Sequence, residues 1–430
     1  MSGRAIRYGI WLAGCVGSRP GAYGALISEY GSAEAVYRAD HTKRKSGGPV
    51  SRGVIRALCD KDLTEAERIA DYCAMKHITV LLPSDEKYPA LLRDLPDLPA
   101  VLYVLGKLPD FSLLPATAVV GTREMTEYGM QVAYSVGYGL ARGGSVVVSG
   151  MAAGGDSLAL CGALDAGGIP VAVLGCGVDR AYPVGNAGLM REIAARGAVI
   201  SEYPPGTQIN RQNFPERNRI ISGLSRAVCV TEGDTRSGAL ITARRAREQV
   251  RQVFAVPGNV GVKGSGGVNL LLKENAALLT SVDDVLRNYA FLYPDAITLG
   301  IDDAVDLERA RASAEAHAVD VGRILKNSRE KAKKNELEAD EMPFVRIKAA
   351  ESDINMTEEE PVSDEELSLI DGRTREIFLS LPDGPFLPDE AVSGKYDVAD
   401  IMCALTVLEI NSLVRSVPGG RYLARKRNCK

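Results

Sequence analysis

The sequence predicts an α/β protein whose central domain is a parallel, doubly wound β-sheet. Six short apolar runs recur between residues 115 and 290, separated by helical stretches. Most of these runs are continuous rather than alternating, as expected for strands that helices cover on both faces. Strand and helix alternate at the spacing of βαβ units, which connect parallel strands. The predicted strands span residues 118–121, 145–149, 170–175, 198–201, 227–231 and 252–256.

Residues 1–85 predict a separate N-terminal helical domain. A helix around Ile10, a glycine turn over 17–21 and an amphipathic helix over 23–30 fit a helix-turn-helix or helix-hairpin-helix module. Such a module can contact backbone phosphates, although small helical hairpins more often have only a structural role. A proline-rich connector leads from it into the sheet domain, which is expected over 86–290.

The C-terminal third predicts a linker and a further domain. Residues 291–364 are charged and poor in aromatic side chains, which is typical of a flexible linker, with local helix expected over 326–338. Helical segments over 366–381, near 388–393 and over 397–408 precede an alternating stretch around Gly419 and Gly420, the pattern of a β-hairpin. Residues 365–430 therefore predict a winged-helix-like domain with a basic tail.

Composition favours a cytoplasmic protein without a metal site or cofactor. No apolar run reaches the roughly 18 residues of a transmembrane helix, and residues 1–11 are too short and polar for a signal peptide. The eight cysteines form no Cys-x-x-Cys pair, as expected for thiols in a reducing cytosol. His41, His77 and His317 all lie outside the sheet domain, so its serines lack a catalytic partner. No enzyme is expected.

Charge is segregated along the chain. The net charge is −4, yet residues 211–252 contain nine arginines against four acidic residues, a local excess of five. Residues 355–366 contain six acids and no base. This pattern is compatible with a polyanionic partner, although a solvated arginine-rich helix face would give the same count.

Small or cationic loops follow most of the predicted strands. In an open parallel sheet, ligands bind outside the carboxyl ends of the strands. Glycines let backbone N–H groups approach an anion, and an arginine adds a forked donor. Several such loops on one edge predict a ligand that carries phosphate. The candidates here are Gly121, Thr122 and Arg123 after the first strand, and Ser149, Gly150 and Gly154 after the second.

The fourth connection carries an aromatic residue and two arginines, in the order Phe214-Pro215-Glu216-Arg217-Asn218-Arg219. Asn218 is expected to cap the apolar helix that follows. The two arginines are expected to grip consecutive phosphates, and the aromatic ring to stack on a base. The alternative is that the ring is core and the arginines pair with Glu202 or Glu232.

A further loop on the same edge opens a helix with Ser237 as its expected cap, followed by Gly238 and Thr242. Like the earlier loops, it offers backbone N–H donors at the start of a helix.

Taken in order, these motifs resemble those of the DNA-processing protein A (DprA) family. The similarity is strongest over roughly residues 85–290. Its blocks are Val-Gly-Thr-Arg (120–123), Ser-Gly-Met-Ala-Ala-Gly (149–154), Val-Leu-Gly-Cys-Gly-Val-Asp (173–179), Ser-Glu-Tyr-Pro-Pro-Gly (201–206), Asn-Phe-Pro-Glu-Arg-Asn-Arg-Ile-Ile (213–221), Ser-Gly-Ala-Leu-Ile-Thr-Ala (237–243) and Phe-Ala-Val-Pro-Gly (254–258).

The resemblance implies an extended Rossmann-like domain that binds single-stranded DNA and forms a homodimer. It also implies a non-enzymatic role in natural transformation and competence, namely protection of incoming DNA and loading of the RecA recombinase. The phosphate contacts that it implies are Gly121, Thr122, Arg123, Arg217, Asn218 and Arg219, with Ser237, Gly238 and Thr242 in another loop on that edge.

The sequence departs from the family pattern in places, among them the strand end that usually reads Glu-Ala and here reads Thr231-Glu232-Gly233-Asp234. Thr122 replaces the usual serine and keeps its hydroxyl, whereas Leu160 stands where the family usually has a histidine. Leucine has no ionisable or hydrogen-bonding side chain, so any role that the family's histidine has at this position is not expected of Leu160.

Two enzyme classes are the alternatives. A nucleotide-processing phosphoribohydrolase would need a Pro-Gly-Gly-x-Gly-Thr-x-x-Glu motif, but the corresponding residues 232–238 lack both the Gly-Thr pair and the spaced glutamate. A dinucleotide-dependent dehydrogenase would need G-x-G-x-x-G and an acidic residue where Ser149 stands.

Overall fold

The computed structural model describes residues 3–301 and 305–320, together with 362–363, 367–368, 370–382, 384, 386–391, 396, 398–411, 413–417 and 421–425. The chain divides into two compact units, Met1–Glu338 and Ala339–Lys430. The predicted helix over 326–338, most of the predicted linker, the Gly-Gly turn and the tail over 426–430 lie outside the described residues.

The first unit begins with a five-helix module. Its helices are α1 Gly3–Val16, α2 Ala22–Tyr30, α3 Ala33–Arg38, α4 Arg52–Cys59 and α5 Thr64–Met75. The predicted amphipathic helix over 23–30 is confirmed as α2. Leu12, Leu26, Val36 and Leu58 are fully buried between the helices, and this apolar packing holds the module together.

A nine-stranded sheet follows. Its strands are β1 Thr79–Leu81, β2 Leu102–Gly106, β3 Ala116–Val120, β4 Val146–Ser149, β5 Pro170–Val173, β6 Ala198–Ser201, β7 Ala227–Val230, β8 Gln252–Ala255 and β9 Ala277–Leu278. Their order is β1-β2-β6-β5-β4-β3-β7-β8-β9. All six predicted strands are confirmed as β3 to β8, which run parallel to one another.

The sheet is longer than predicted. β2 pairs with β6 and β1 pairs with β2, both antiparallel, and β9 adds a short parallel edge. The prediction that residues 1–85 are helical is therefore wrong for β1, and β2 was not predicted. Both lie in a region dominated by helical patterns and prolines, and β1 has only three residues, too few for a strand pattern to stand out.

Helices cover both faces of the sheet. They are α6 Ala90–Arg93, α7 Glu127–Arg142, α8 Gly155–Asp165, α9 Ala187–Arg196, α10 Asn213–Leu224, α11 Gly238–Glu248, α12 Gly266–Lys273 and α13 Asp283–Ala290, with a 3-10 turn at Val184–Asn186. Alternate residues of β3 pack on opposite layers: Ala118 and Val120 join the cluster formed with α10 and α11, and Val119 joins α7, α8 and α13. Two-sided burial explains the continuous apolar runs.

Helices α7 and α8 approach each other unusually closely. A Cβ atom on Gly137 would lie 2.1 Å from the carbonyl oxygen of Ala159, and one on Gly162 would lie 2.3 Å from that of Tyr134. Only glycine fits at such contacts. The two helices thus form a rigid pair on one face of the sheet.

The region predicted as a flexible linker from residue 291 contains a docked helix, α14 Leu307–Ala316. Ala310 and Ala314 are fully buried, and α14 lies against α7 and α8. The prediction is wrong for this helix because its buried residues are two alanines and Ser313, whose small side chains leave the sequence polar in appearance.

The described part of the second unit contains α15 Gly372–Ser380, a 3-10 turn at Pro388–Ala391, α16 Val398–Ile410, and the antiparallel strands β10 Val414–Val417 and β11 Arg421–Ala424. The predicted helical segments and hairpin strands are present at these positions. Phe378, Phe386, Leu405 and Leu408 are buried in its core. Among the described residues of the whole chain, no helix is long and apolar enough to cross a membrane.

Candidate nucleic-acid interface

A groove of about 560 Å³ opens at the carboxyl ends of β3 and β7. After β3 the chain adds β4, β5 and β6 on one side, then returns to place β7 on the other. Such a reversal of strand order leaves a crevice where α/β proteins bind ligands. The predicted site residues that line it are Gly121, Thr122, Arg123, Phe214, Arg217, Asn218, Ser237, Gly238 and Thr242.

The first loop of the groove is held by its neighbours on both sides. The Thr122 amide donates to the carbonyl oxygen of Glu232 at 2.8 Å, and the Gly155 amide donates to that of Thr122 at 3.1 Å. A Cβ atom on Gly121 would lie 2.7 Å from Thr231 Oγ1, so the loop packs with no space for a side chain. Gly154 has a positive φ of 85° and is buried behind Thr122. The prediction that Gly154 contacts the ligand directly is therefore corrected.

Arg123 projects from this loop into solvent beside an aromatic pair. Its guanidinium carbon lies 5.5 Å from the ring centroid of Phe214, within the range of a cation–π contact. The Phe214 ring lies 4.9 Å from the ring of Tyr182, centroid to centroid. Phe214 is only half-buried. One wall of the groove thus combines an exposed cation with a partly accessible aromatic surface.

Arg217 lies beneath the groove rather than on its rim. Its side chain is about 3% exposed, and Nη1 donates to the carbonyl oxygens of Gly150, at 2.8 Å, and of Val173. Burial lowers the pKa of Arg217 to about 10. Burial also raises the pKa of the neighbouring Asp156, while the positive charge of Arg217 acts to lower it. Arg217 therefore joins the ends of β4 and β5, which corrects the prediction that it projects to grip a phosphate.

Arg219 does not line the groove. It is about 2% exposed and forms ion pairs with Glu202, at 2.5 Å, and with Asp97, at 3.5 Å. Residues two positions apart point about 200° away from each other around a helix, so Arg217 and Arg219 cannot face one ligand from α10. The prediction of a second phosphate grip here is wrong, and the alternative of pairing with Glu202 is confirmed.

Asn218 lines the groove but does not cap a helix. Helix α10 already begins at Asn213, five residues earlier, with Gln212 at the cap position. Asn218 is therefore within the helix and half-buried. The predicted cap is wrong because the helix extends through the polar Asn213–Arg219 stretch, which the sequence suggested was a loop.

Ser149 and Gly150 are buried behind the groove. Ser149 Oγ donates to the carbonyl oxygen of Val119 at 2.6 Å. A Cβ atom on Gly150 would lie 2.5 Å from the guanidinium of Arg217, so glycine is required for that side chain to pass. Neither residue lines the groove, so their predicted ligand contacts are corrected to a supporting role.

The loop after β7 places the start of α11 at the groove. The prediction that Ser237 caps this helix is confirmed, because its hydroxyl accepts from the Ala239 amide at 3.3 Å. Gly238 is exposed at the first helical position, while Thr242 is about 2% exposed one turn later. The free N–H groups of a helix start favour an anion at this end of the groove.

The groove also contains a cation and an aromatic ring that were not among the predicted contacts. Arg211 is exposed and lines the groove three residues before Phe214, and Tyr182 lies against the Phe214 ring. Arg211 was counted only in the local charge excess. Its position in the same connection as Phe214 is the sequence signal that could have identified it.

A buried carboxylate, Glu232, supports the first loop from behind. It accepts from the Thr126 amide at 3.1 and 3.3 Å at the start of α7. Burial raises the pKa of Glu232 to about 7, although the hydrogen bond from Thr126 acts in the opposite direction and lowers the pKa. The carboxyl group fills the space beside Gly129 and Gly264, where a Cβ atom would lie 1.6 and 2.2 Å from its oxygens.

Comparison with known proteins gives a consistent result. Residues 79–290 match the family described as DNA recombination-mediator protein A. The chain is 42% identical over 216 residues to protein Smf of Synechocystis, which covers 50% of this chain and 54% of that protein. It is 43% identical over 207 residues to DNA processing protein DprA of Streptococcus pneumoniae, covering 48% and 73% respectively. The X-ray structure of DprA from Streptococcus pneumoniae matches with a TM-score of 0.56 and 34% identity, covering 65% of this chain and 97% of that one.

Proposed function

The chain belongs to the DNA recombination-mediator protein A family, and from that premise we propose that it binds single-stranded DNA and loads the RecA recombinase onto it. In this role it protects incoming DNA during natural transformation. The groove at the ends of β3 and β7 is the proposed binding site, and the protein acts in the cytoplasm as a homodimer.

The observation that carries the proposal is the composition of the groove. Exposed Arg123 lies against the half-buried ring of Phe214, exposed Arg211 lines the same groove, and the start of α11 at Gly238 adds backbone donors. Cations and N–H groups suit a phosphate backbone, and an aromatic ring suits an unpaired base. This combination favours single-stranded nucleic acid with little dependence on base sequence.

Salt-dependent binding tests this site. Fluorescence anisotropy with a labelled oligothymidylate of about 20 nucleotides should show affinity that falls steeply between about 50 and 200 mM salt. Arg123→Ala should weaken binding, whereas Arg142→Ala, an exposed arginine at the opposite end of α7, should not. Affinity that is independent of salt and of Arg123 would contradict the proposed site.

Recombinase loading requires its own assay. RecA and a strand already coated with single-stranded-DNA-binding protein provide it, with RecA ATPase activity as the readout. The chain should shorten the lag before ATP hydrolysis, and Arg123→Ala should shorten it less. Light scattering of the intact chain tests the proposed dimer.

We also propose a domain assignment for the whole chain. Residues 1–85 form an N-terminal domain that is helical up to Met75 and ends with β1, 86–290 the DNA-binding domain whose sheet β1 joins, and 365–430 a winged-helix-like domain. The two helices and paired strands of the C-terminal unit support the last assignment.

The alternative of a nucleotide-processing phosphoribohydrolase is not favoured, because the chain belongs to a recombination-mediator family. Chromatography of a nucleoside monophosphate after incubation with the protein provides the test. We expect no free base.

A further inference from the structure

A second basic surface lies on the N-terminal helical module, outside the groove. Residues 38–56 contain six lysines and arginines against a single acid, Asp40. Within the described residues, Arg38 and Arg44 form ion pairs with carboxylates of the module. The remaining four are exposed and form no ion pair there; they are Lys43, Lys45, Arg52 and Arg56.

Helix α4 directs two of these cations to one side. Arg52 and Arg56 are four residues apart, so their side chains share a face of the helix. Val54 and Leu58 are fully buried on the other face. The packing of α4 therefore fixes Arg52 and Arg56 toward solvent.

Arg19 extends this surface from the turn between α1 and α2. Its Nη1 donates to Ser51 Oγ, the cap of α4, and its guanidinium lies 3.3 Å from the position of a Cβ atom on Gly53. Arg19 itself is exposed. Three guanidinium groups are thus gathered around the first turns of α4.

The same turn connects the basic surface to the groove. Ser18 Oγ donates to Glu216 Oε2 at 3.0 Å, and Glu216 follows the groove residue Pro215 in the first turn of α10. Tyr203 donates to the same carboxylate oxygen at 3.2 Å, so the acid at this junction is occupied. Arg19 is therefore one residue away from Ser18, whose hydroxyl contacts Glu216 next to the groove residue Pro215.

We infer that the surface formed by Arg19, Arg52 and Arg56, together with the loop lysines Lys43 and Lys45, binds the phosphates of the DNA strand as it leaves the groove. This inference rests on the proposed function and extends its binding site onto the helical module. In the described part of the chain, none of these five cations makes a cation–π contact like the one between Arg123 and Phe214. The surface therefore contributes electrostatic, sequence-independent affinity to strands long enough to reach it.

Oligonucleotide length separates the two surfaces. The test uses the full chain, the Arg52→Ala/Arg56→Ala variant and labelled oligothymidylates of about 6 and about 20 nucleotides. Alanine has the highest helix propensity, so α4 is expected to remain folded in the variant, which circular dichroism verifies. The matched control is Arg142→Ala/Arg191→Ala, which removes two exposed helical arginines outside both surfaces.

The double variant should bind the longer strand roughly tenfold more weakly than the wild type and the control, with the salt slope reduced by about 1.4, because two phosphate contacts are lost. Binding of the short strand should be unchanged. Wild-type affinity of the variant for the longer strand would overturn the inference and leave the groove intact. A weakening seen only with duplex DNA would also overturn it, since the surface would then take a double-stranded partner. Failure of the wild type to bind either strand would instead contradict the proposed function itself.

Discussion

The guanidinium of Arg219 lies 2.5 Å from the carboxylate of Glu202, and both side chains are withdrawn from solvent. Asp97 completes the site at 3.5 Å. Burial raises the pKa of Glu202, while the charge of Arg219 opposes that rise. This ion pair links α10 to the residue that follows β6, so its role is in the architecture of the groove and not in its surface.

Arg219→Ala should destabilise the protein by about 3–5 kcal/mol, because it leaves a buried carboxylate without its partner. Chemical denaturation measures the loss. The control is Arg245→Ala, which removes a partly exposed arginine paired with Glu248 and should cost less than about 1 kcal/mol. Equal stability of the two variants would show that the ion pair of Arg219 is not buried as the structure describes it.

Arg123 and Arg217 should respond differently to alanine substitution. Arg123 is exposed, so Arg123→Ala should lower the affinity for oligothymidylate with a change in stability below about 0.5 kcal/mol. Arg217 holds the carbonyl groups of Gly150 and Val173, so Arg217→Ala should lower both affinity and stability, the latter by about 1–3 kcal/mol. Anisotropy and denaturation on the same preparations distinguish them. If the Arg217→Ala protein is fully stable but binds weakly, Arg217 contacts the DNA directly instead of supporting the groove.

The sequence was sufficient to predict the parallel core because each of its strands is buried on both faces, which leaves a strong continuous apolar signal. It was also sufficient to place Arg123, Phe214 and Ser237 at one edge, since connections after parallel strands meet there. It did not distinguish Arg217 from Arg219 as a groove residue, because that depends on where α10 begins. A helix start at Asn213 turns the two side chains in opposite directions.

The buried carboxyl group of Glu232 should make stability depend on pH. Its pKa is raised to about 7 in the folded state by burial, from an ordinary value of 4.5. The contribution of protonated Glu232 to the free energy of unfolding is thus complete below about pH 4.5 and is lost as the pH rises through 7. The free energy of unfolding changes by up to about 3 kcal/mol over this range. Glu232→Gln keeps an acceptor for the Thr126 amide and removes the titration.

The free energy of unfolding of the wild type and of Glu232→Gln, measured at pH 5 and pH 8, tests this effect. The variant should gain stability relative to the wild type as the pH rises. The same difference at both pH values would show that Glu232 does not titrate in this window.

His317 should control the docking of α14. Its Nε2 lies 2.9 Å from Asp165 Oδ1 and its Nδ1 lies 2.8 Å from Glu192 Oε2, so the ring joins the end of the docked segment to α8 and α9. Burial disfavours the charged ring, but hydrogen bonds to Asp165 and Glu192 outweigh it and raise the pKa of His317. The contribution of His317 to the docking of α14 is complete below the unfolded pKa of about 6.5 and is lost as the pH rises through the folded pKa.

Hydrogen exchange of the amides of α14 should therefore show less protection above that pH, after correction for the intrinsic exchange rate. His317→Gln should remove this pH dependence and lower protection at pH 6, while the amides of α8 stay protected because Leu158 and Leu160 remain buried. Unchanged protection of α14 in the variant would mean that its alanine face alone holds it in place.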